Sequence, residues 1–480
     1  MWPAVILFLS GCIGEVTAPR CRVAADCDLS AGYRFCHHGY CFKHPLPGDL
    51  EDAKAPYGST ETSGGESSPT TCSPDNPTSK GDGCCPAWGG RDLSQEPDCL
   101  RWRFALESLT PPRLATFAEP RADAPAVVVN TSRPAGTERV RVIYTAGLES
   151  SGELRWEKEV GPGETPLAPV LRPDGGAVVA TKTHLVLIDV NDGRSRHEVE
   201  LAVAVPPVLL GDLRLVAVER DGAVHLLDED LAPSALGPSF AAGVSLTAPV
   251  AGETYGERLY VVDDAGGIHA VSIARESPRP GLTEWSLESD AAPLAGIAPA
   301  LFDDYLFLVT ANHDLMIVRD EEVAGVLTAS FPLGGPVAGL VATSKGTVFA
   351  LTNAGALVAL SVRPGHYERQ WSREIFAAGS ALSPVWLGDQ ILLAANDGEM
   401  AAYRLDSTAP EPLEPLWQLT PTESFGGDIL PLPGGGLTVG FRDGAVAAFE
   451  IDVGALAAGG WPAARGDTSQ TAAQIGVVGD

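Results

Sequence analysis

The chain has 480 residues, and Lys+Arg 33 against Asp+Glu 62 gives a formal charge of −29. At about 100–200 residues per domain, this length fits two to four ordinary domains or one large repeat fold. So acidic a chain lacks the Lys and Arg that phosphate contacts require, which argues against nucleic acid and against electrostatic docking on an anionic membrane.

Taken in chain order, residues 1–12 read MWPAVILFLSGC. The apolar run Val5–Leu9 is far shorter than the roughly 20 residues a membrane helix needs and reads as the core of an export signal. Leu9-Ser10-Gly11-Cys12 resembles the lipobox of bacterial lipoproteins. That resemblance implies a signal peptide over 1–11, a lipidated Cys12 at the mature N-terminus and a tether over 12–20. Ile13 after the cysteine, in place of Asp, favours the outer membrane. Beyond this segment no stretch reaches about 18 apolar residues, so no other membrane span is expected.

Eight further cysteines all lie before residue 100: Cys21, Cys27, Cys36, Cys41, Cys72, Cys84, Cys85 and Cys99. An even number confined to one segment suits disulfides in an oxidising compartment. Residues 21–41 have almost no apolar core and form a small module held by two bridges, with three connectivities open. A zinc alternative rests on Cys36, His37, His38, Cys41 and His44. Only part of the paired zinc spacing is present, and disulfides are favoured. Residues 42–71 read as a flexible linker and residues 72–99 as a second Cys-rich segment. Cys84-Cys85 are expected to bond outward to Cys72 and Cys99; a strained ring between adjacent cysteines is the alternative.

Over residues 113–475 short apolar runs alternate with Gly, Asp and Asn turns, and no helical period appears, which is an all-β pattern. A unit recurs: an apolar run, a turn, a second apolar run, then Asp or Ser. Its turn positions are Thr183, Gly222, Gly266, His313, Gly355, Gly398 and Gly444, at steps of 39, 44, 47, 42, 43 and 46 residues. A divergent copy over 139–156 carries Gly147, so eight units are counted. Most units begin with a motif such as Ala168-Pro169-Val170, and several end on a Trp: Trp156, Trp285, Trp371 and Trp417. A period near 45 residues with several short strands predicts a propeller of four-stranded blades, here eight. The glycines are expected to supply positive φ in tight hairpins, and the terminal Trp to fill the gap between neighbouring blades.

The repeated element, with Trp at the next strand, resembles the pyrroloquinoline-quinone-type (PQQ-like) propeller repeat. Trp461-Pro462-Ala463-Ala464-Arg465-Gly466-Asp467 resembles the segment flanking such propellers. The resemblance implies an eight-bladed ring and gives Trp461, Arg465, Gly466 and Asp467 a structural role near its closure. Two kinds of protein share this repeat: quinone- and calcium-dependent dehydrogenases, and non-catalytic lipid-anchored propellers that include one in outer-membrane protein assembly. The dehydrogenases carry an adjacent-Cys disulfide over the cofactor, but here Cys84-Cys85 precede the first blade and the propeller region has no Cys.

The expected protein is therefore a lipid-anchored, monomeric, non-catalytic propeller that binds envelope proteins as a scaffold, without cofactor or metal. A quinone-dependent dehydrogenase and an outer-membrane assembly subunit are the alternatives. Asp189-Val190-Asn191-Asp192-Gly193 resembles a calcium loop but lacks its distal Glu and falls on a hairpin turn. His184, His225, His269 and His313 recur near the turns and are expected on strand faces. Asn130-Thr131-Ser132 is a sequon of use only in a eukaryotic secretory route.

Overall fold

The computed structural model describes residues 35–37, 40–42 and 91–92 and, apart from short connections, residues 100–449. Cys12, Cys21, Cys27, Cys72, Cys84, Cys85, Cys99, Trp461, Arg465, Gly466 and Asp467 lie outside the described residues, as do the signal, tether and linker. The chain divides into two compact units, Met1–Pro69 and Thr70–Asp480. In the first, β1 (Phe35–His37) and β2 (Tyr40–Phe42) form an antiparallel hairpin in which Cys36 and Cys41 are register partners.

The second unit is built of antiparallel sheets that follow one another along the chain. Two short strands come first, β3 (Arg91–Asp92) and β4 (Leu100–Phe104). Four strands then form a sheet in sequence order: β5 (Arg113–Thr116), β6 (Val127–Ser132), β7 (Thr137–Tyr144) and β8 (Glu153–Pro162). The next sheet is β9 (Val170–Leu171), β10 (Gly176–Ala180), β11 (His184–Asp189) and β12 (Ser195–Glu200). It is followed by β13 (Val208–Leu209), β14 (Leu215–Val218), β15 (Val224–Leu227) and β16 (Pro233–Leu236), then by β17 (Val250–Gly252), β18 (Arg258–Val262), β19 (Ile268–Ser272) and β20 (Thr283–Leu287). Two more repeat the plan: β21 (Ala300–Phe302), β22 (Tyr305–Val309), β23 (Asp314–Asp320) and β24 (Gly325–Pro332), and β25 (Val337–Ala342), β26 (Thr347–Thr352), β27 (Ala356–Arg363) and β28 (His366–Glu374). The last strands are β29 (Val385–Leu387), β30 (Ile391–Ala395), β31 (Met400–Arg404) and β32 (Trp417–Leu419), then β33 (Phe425–Pro431), β34 (Leu437–Phe441) and β35 (Val446–Phe449).

This is an all-β propeller, but its blades are not uniform. Among the described residues seven blades are four-stranded in place of the expected eight, because the β29–β32 sheet has five strands: β3 joins the outer edge of β32 in parallel. The β33–β35 sheet reaches four strands only through β4, which comes from the N-terminal side of the propeller. The divergent repeat copy is also placed differently. Gly147 falls between β7 and β8, the third and fourth strands of its blade, whereas Gly222 and Gly266 fall between second and third strands. The run Arg139–Tyr144 is thus a third strand, and the equivalent turn is the β6–β7 connection.

The second and third strands are apolar on both faces because each blade is sandwiched between two neighbours. Strands β10, β14, β18, β22, β30 and β34 are buried throughout, whereas the outer strand β12 is almost wholly exposed. The core accordingly consists of clusters at blade junctions. Ala115 and Val128 pack with Val179 and Ile188, and Val216 and Val218 with Val261 and Val271. The last sheet meets the first: Trp102, Leu430, Val446 and Ala448 pack with Leu114 and Val129. Polar bonds reinforce this closure. Arg113 Nε donates to Asp428 Oδ2 at 3.0 Å, the Leu114 N–H donates to the same oxygen at 2.8 Å, and Thr116 Oγ1 donates to the Pro431 carbonyl at 3.1 Å.

A β-bulge recurs in the outer strands. Trp102, Trp156, Trp285 and Trp371 each pair opposite the third strand immediately after one extra residue: Arg101, Arg155, Glu284 and Gln370. A bulge bends its strand and re-aims a side chain. Here the re-aimed side chain is the Trp that enters a junction cluster. Trp102 therefore occupies the terminal-Trp position of the blade it completes, and the shared tripeptides Leu100-Arg101-Trp102 and Leu154-Arg155-Trp156 are its sequence signal.

Candidate functional site

Antiparallel order puts all turns between second and third strands on one rim, and the turns between first and second and between third and fourth strands on the other. Gly222, Gly266, Gly355, Gly398 and Gly444 share the first rim, one per blade. Four of them have the expected positive φ: 88° at Gly222, 94° at Gly266, 81° at Gly355 and 84° at Gly444. Gly398 does not, because its N–H is taken by Asn396 Oδ1 at 2.9 Å and the Asn side chain shapes the turn instead. His313 holds φ 63° at the position where other blades use Gly.

The recurring histidines do not converge. His225 Nε2 bonds Glu219 at 2.9 Å, and His269 Nε2 bonds Asp263 at 2.9 Å, each pair inside its own blade. His184 Nδ1 lies 2.7 Å from Thr183 Oγ1. The calcium-like segment is a hairpin turn. Asp189 accepts from the Asn191 N–H at 2.8 Å and from Arg196 Nη2 at 2.7 Å, and Gly193, at φ 74°, lies under the Trp156 ring. Burial works to raise the Asp189 carboxyl, but Arg196 and the Asn191 N–H outweigh it and hold the group below the usual carboxylate range. Asn130 is fully buried and donates to the Leu167 carbonyl at 3.1 Å, so the sequon sits inside a blade. Among the described residues no three His, Cys, Asp or Glu side chains are grouped as a metal would require.

The opposite rim carries a feature that the repeat pattern alone did not show. Asp320, at the end of β23, is 3% exposed. Its carboxylate accepts from Arg258 Nη1 at 2.7 and 2.6 Å, Tyr260 Oη at 2.7 Å, Trp285 Nε1 at 3.0 Å and its own turn's Glu322 N–H at 2.9 Å. Three of these donors come from the preceding blade. Burial disfavours the Arg258 cation, but Asp320 beside it raises the guanidinium above its ordinary value. Burial, then the bond to Asp320, pushes the Tyr260 phenol far above its usual range, so it stays a protonated donor. Arg258 Nη2 also reaches the Glu322 carbonyl at 2.7 Å. Two earlier junctions use the same reach: Arg172 Nη1 donates to the Glu229 carbonyl at 2.7 Å, and Arg214 Nη1 to the Ile273 carbonyl at 3.0 Å.

This lock carries on its outer side the turn 321–324 and the edge strand β24. Val323 at the turn is 79% exposed and Leu327 on β24 is 49% exposed. Glu321 and Glu322 beside Val323 are exposed too. The lock and the exposed apolar pair together form the candidate binding surface: a rigid strand edge with apolar side chains in an acidic setting.

Residues 269–410, which include this surface, match the family model described as "PQQ_2: Outer membrane protein assembly factor BamB". No curated protein matches the chain. Among solved structures, BamB from Moraxella catarrhalis is similar at a TM-score of 0.52 and 17% identity, covering 72% of this chain and 98% of that one. Sqt1 from Saccharomyces cerevisiae is similar at a TM-score of 0.55 and 10% identity, covering 73% of this chain and 98% of that one. At these identities the likeness establishes the fold. Residues 269–410 are similar to the PQQ-type repeat of that family, and the chain has the fold of a β-propeller.

Proposed function

We propose that this chain is a non-catalytic interaction module of the bacterial envelope. It is anchored through lipid on Cys12, with the Cys-rich N-terminal segment as a stapled spacer, and it binds envelope proteins through the rims and outer edges of the propeller. Disulfides among Cys21, Cys27, Cys36, Cys41, Cys72, Cys84, Cys85 and Cys99 belong to the same proposal, as do the outer-membrane location and the closure role of Trp461, Arg465, Gly466 and Asp467. The observation that carries the reading is the family match over residues 269–410, set on a propeller whose buried charges serve its own blade junctions. A narrower reading makes the chain a subunit of outer-membrane protein assembly, and the description of the matching family favours it.

Co-purification under mild detergent tests both. Recovery of the barrel-insertion machinery with the full chain supports the narrower reading, and recovery of other envelope proteins supports only the broader one. Dye reduction by chain reconstituted with quinone and calcium would overturn the non-catalytic reading. Cys12→Ala is expected to leave the membrane fraction; its retention there would overturn the anchor.

A further inference from the structure

We propose that the free edge of β24 binds an extended segment of a partner protein in which apolar and basic side chains alternate, so that the partner adds a strand to the blade. The proposal rests on the interaction-module reading and names where the partner sits and what its chemistry is.

Edge strands present unpaired backbone N–H and C=O groups that can template another strand, and extended peptides use such edges with side-chain pockets for specificity. β24 ends its sheet, and among the described residues nothing pairs beyond it. The chain already uses this kind of edge once: Arg91 and Asp92 add in parallel to Trp417 and Gln418 on the outer strand of another blade.

β24 is also rigid before anything binds. A Cβ on Gly325 would stand 2.3 Å from Trp285 Cζ3, so the ring of the preceding blade lies directly on the strand's first residue. Asp320 and Arg258 fix the turn that feeds it. A preorganised edge avoids the ordering cost that weakens association.

The side chains set the partner's character. Thr328 is the extra residue of a bulge opposite Ile317–Val318 and donates its Oγ1 to the Ile317 carbonyl at 2.9 Å. The bulge leaves Leu327 turned to solvent on the strand that Val323 introduces. Glu321 and Glu322 immediately precede Val323; Glu321 lies 3.5 Å from Arg319 Nη1, whereas the Glu322 carboxylate makes no ion pair among the described residues. Apolar anchors within a negative field call for Leu- or Val-like residues interleaved with Lys or Arg.

The probe is a fluorescein-labelled octapeptide of alternating leucine and lysine, titrated against the full chain and followed by anisotropy. Saturable binding is expected. The double variant Val323→Asp with Leu327→Asp, checked for an unchanged melting temperature, is expected to bind at least tenfold more weakly. Asp230→Lys, on another blade, is expected to stay within twofold of wild type. N-methylation of alternate peptide amides removes the pairing donors and is expected to weaken binding at least tenfold. A leucine–glutamate peptide is expected not to bind.

No saturable binding overturns the proposal. So does equal binding by the double variant, or equal binding of the N-methylated peptide. Dimers of the chain that the double variant abolishes would assign the edge to a second copy and overturn it as well. If the double variant still co-purifies with the envelope proteins recovered by wild type, the edge proposal fails while the interaction-module reading stands.

Discussion

Asp320 is tolerated as a buried charge because four donor groups surround it, and three of them come from the neighbouring blade. Removing it would leave the Arg258 side chain, only 4% exposed, with Glu284 as its remaining carboxylate partner. Breaking a buried pair from one side costs about 3–5 kcal/mol, and Glu284 offsets part of that, so Asp320→Ala is expected to lower stability by up to about that amount in urea unfolding. Tyr260→Phe removes one neutral donor and is expected to cost about 1 kcal/mol. Asp189 gives a pH-dependent counterpart. Its folded carboxyl lies below the usual value, so its contribution is fully present above the unfolded pKa, near about 4, and is lost as pH falls through the folded value. Asp189→Asn is therefore expected to lower the urea midpoint at pH 7 and to matter progressively less below pH of about 4. The sequence shows these residues only as the Asp or Ser that closes each unit. At Asp189, Asp228 and Asp320 that residue caps the following turn, accepting from Asn191, Asp230 and Glu322 N–H groups. The cap is local and legible in the repeat. The donors on Asp320 are not, because Arg258 and Tyr260 lie about 60 residues away in another repeat, and in the preceding repeat the Arg258 position holds Arg214, which reaches a carbonyl instead, while the Tyr260 position holds Val216.

An outer strand that carries the terminal Trp does two things: it closes its own sheet and sends one large side chain into the gap beside it. The bulge before Trp156, Trp285 and Trp371 accomplishes both, and it shows why the terminal Trp was readable as gap-filling. What receives the Trp was not readable, because a glycine in a turn looks like any other turn residue. Gly193 and Gly325 are these receivers: a Cβ would stand 2.8 Å from Trp156 Cδ2 at the first and 2.3 Å from Trp285 Cζ3 at the second. Trp285 is buried with its Nε1 bonded to Asp320, so it cannot move aside freely. Gly325→Ala is expected to cost about 1–3 kcal/mol through overpacking and to shift tryptophan emission, read in one urea titration with fluorescence detection. Gly335→Ala is the control, since its Cβ would meet nothing closer than 4.0 Å. Strand identity itself was legible because strands enclosed by two neighbours become continuous apolar runs. The misplaced first unit follows from the same rule, since second and third strands read alike when both are enclosed.

For the whole molecule, the repeat spacing reveals how many units follow one another but not how the last one is completed. The repeat ends at β35 in a blade that is one strand short, and the missing strand lies before the first repeat. A boundary drawn at 113, where the alternating texture begins, leaves β4 out. Leu100-Arg101-Trp102 matches Leu154-Arg155-Trp156, but a single tripeptide outside the regular spacing carries little weight by itself. Its physical weight is considerable. Trp102 and Leu106 fill the closing junction with Leu114, Val129, Leu430 and Val446, and Arg103 Nη2 bonds Asp443 Oδ2 at 2.6 Å across the completed blade. A chain beginning at residue 113 loses those contacts and exposes the β35 edge, a template for pairing with another chain. It is expected to melt well below the full chain and to elute as oligomers in size-exclusion chromatography. Trp102→Ala keeps the strand and its backbone pairing, and it is expected to cost about 3–5 kcal/mol while remaining monomeric. If the two variants lose equal stability and both stay monomeric, the edge contributes nothing and closure rests on the Trp alone. If only the truncated chain associates, the strand protects the ring as well as completing it.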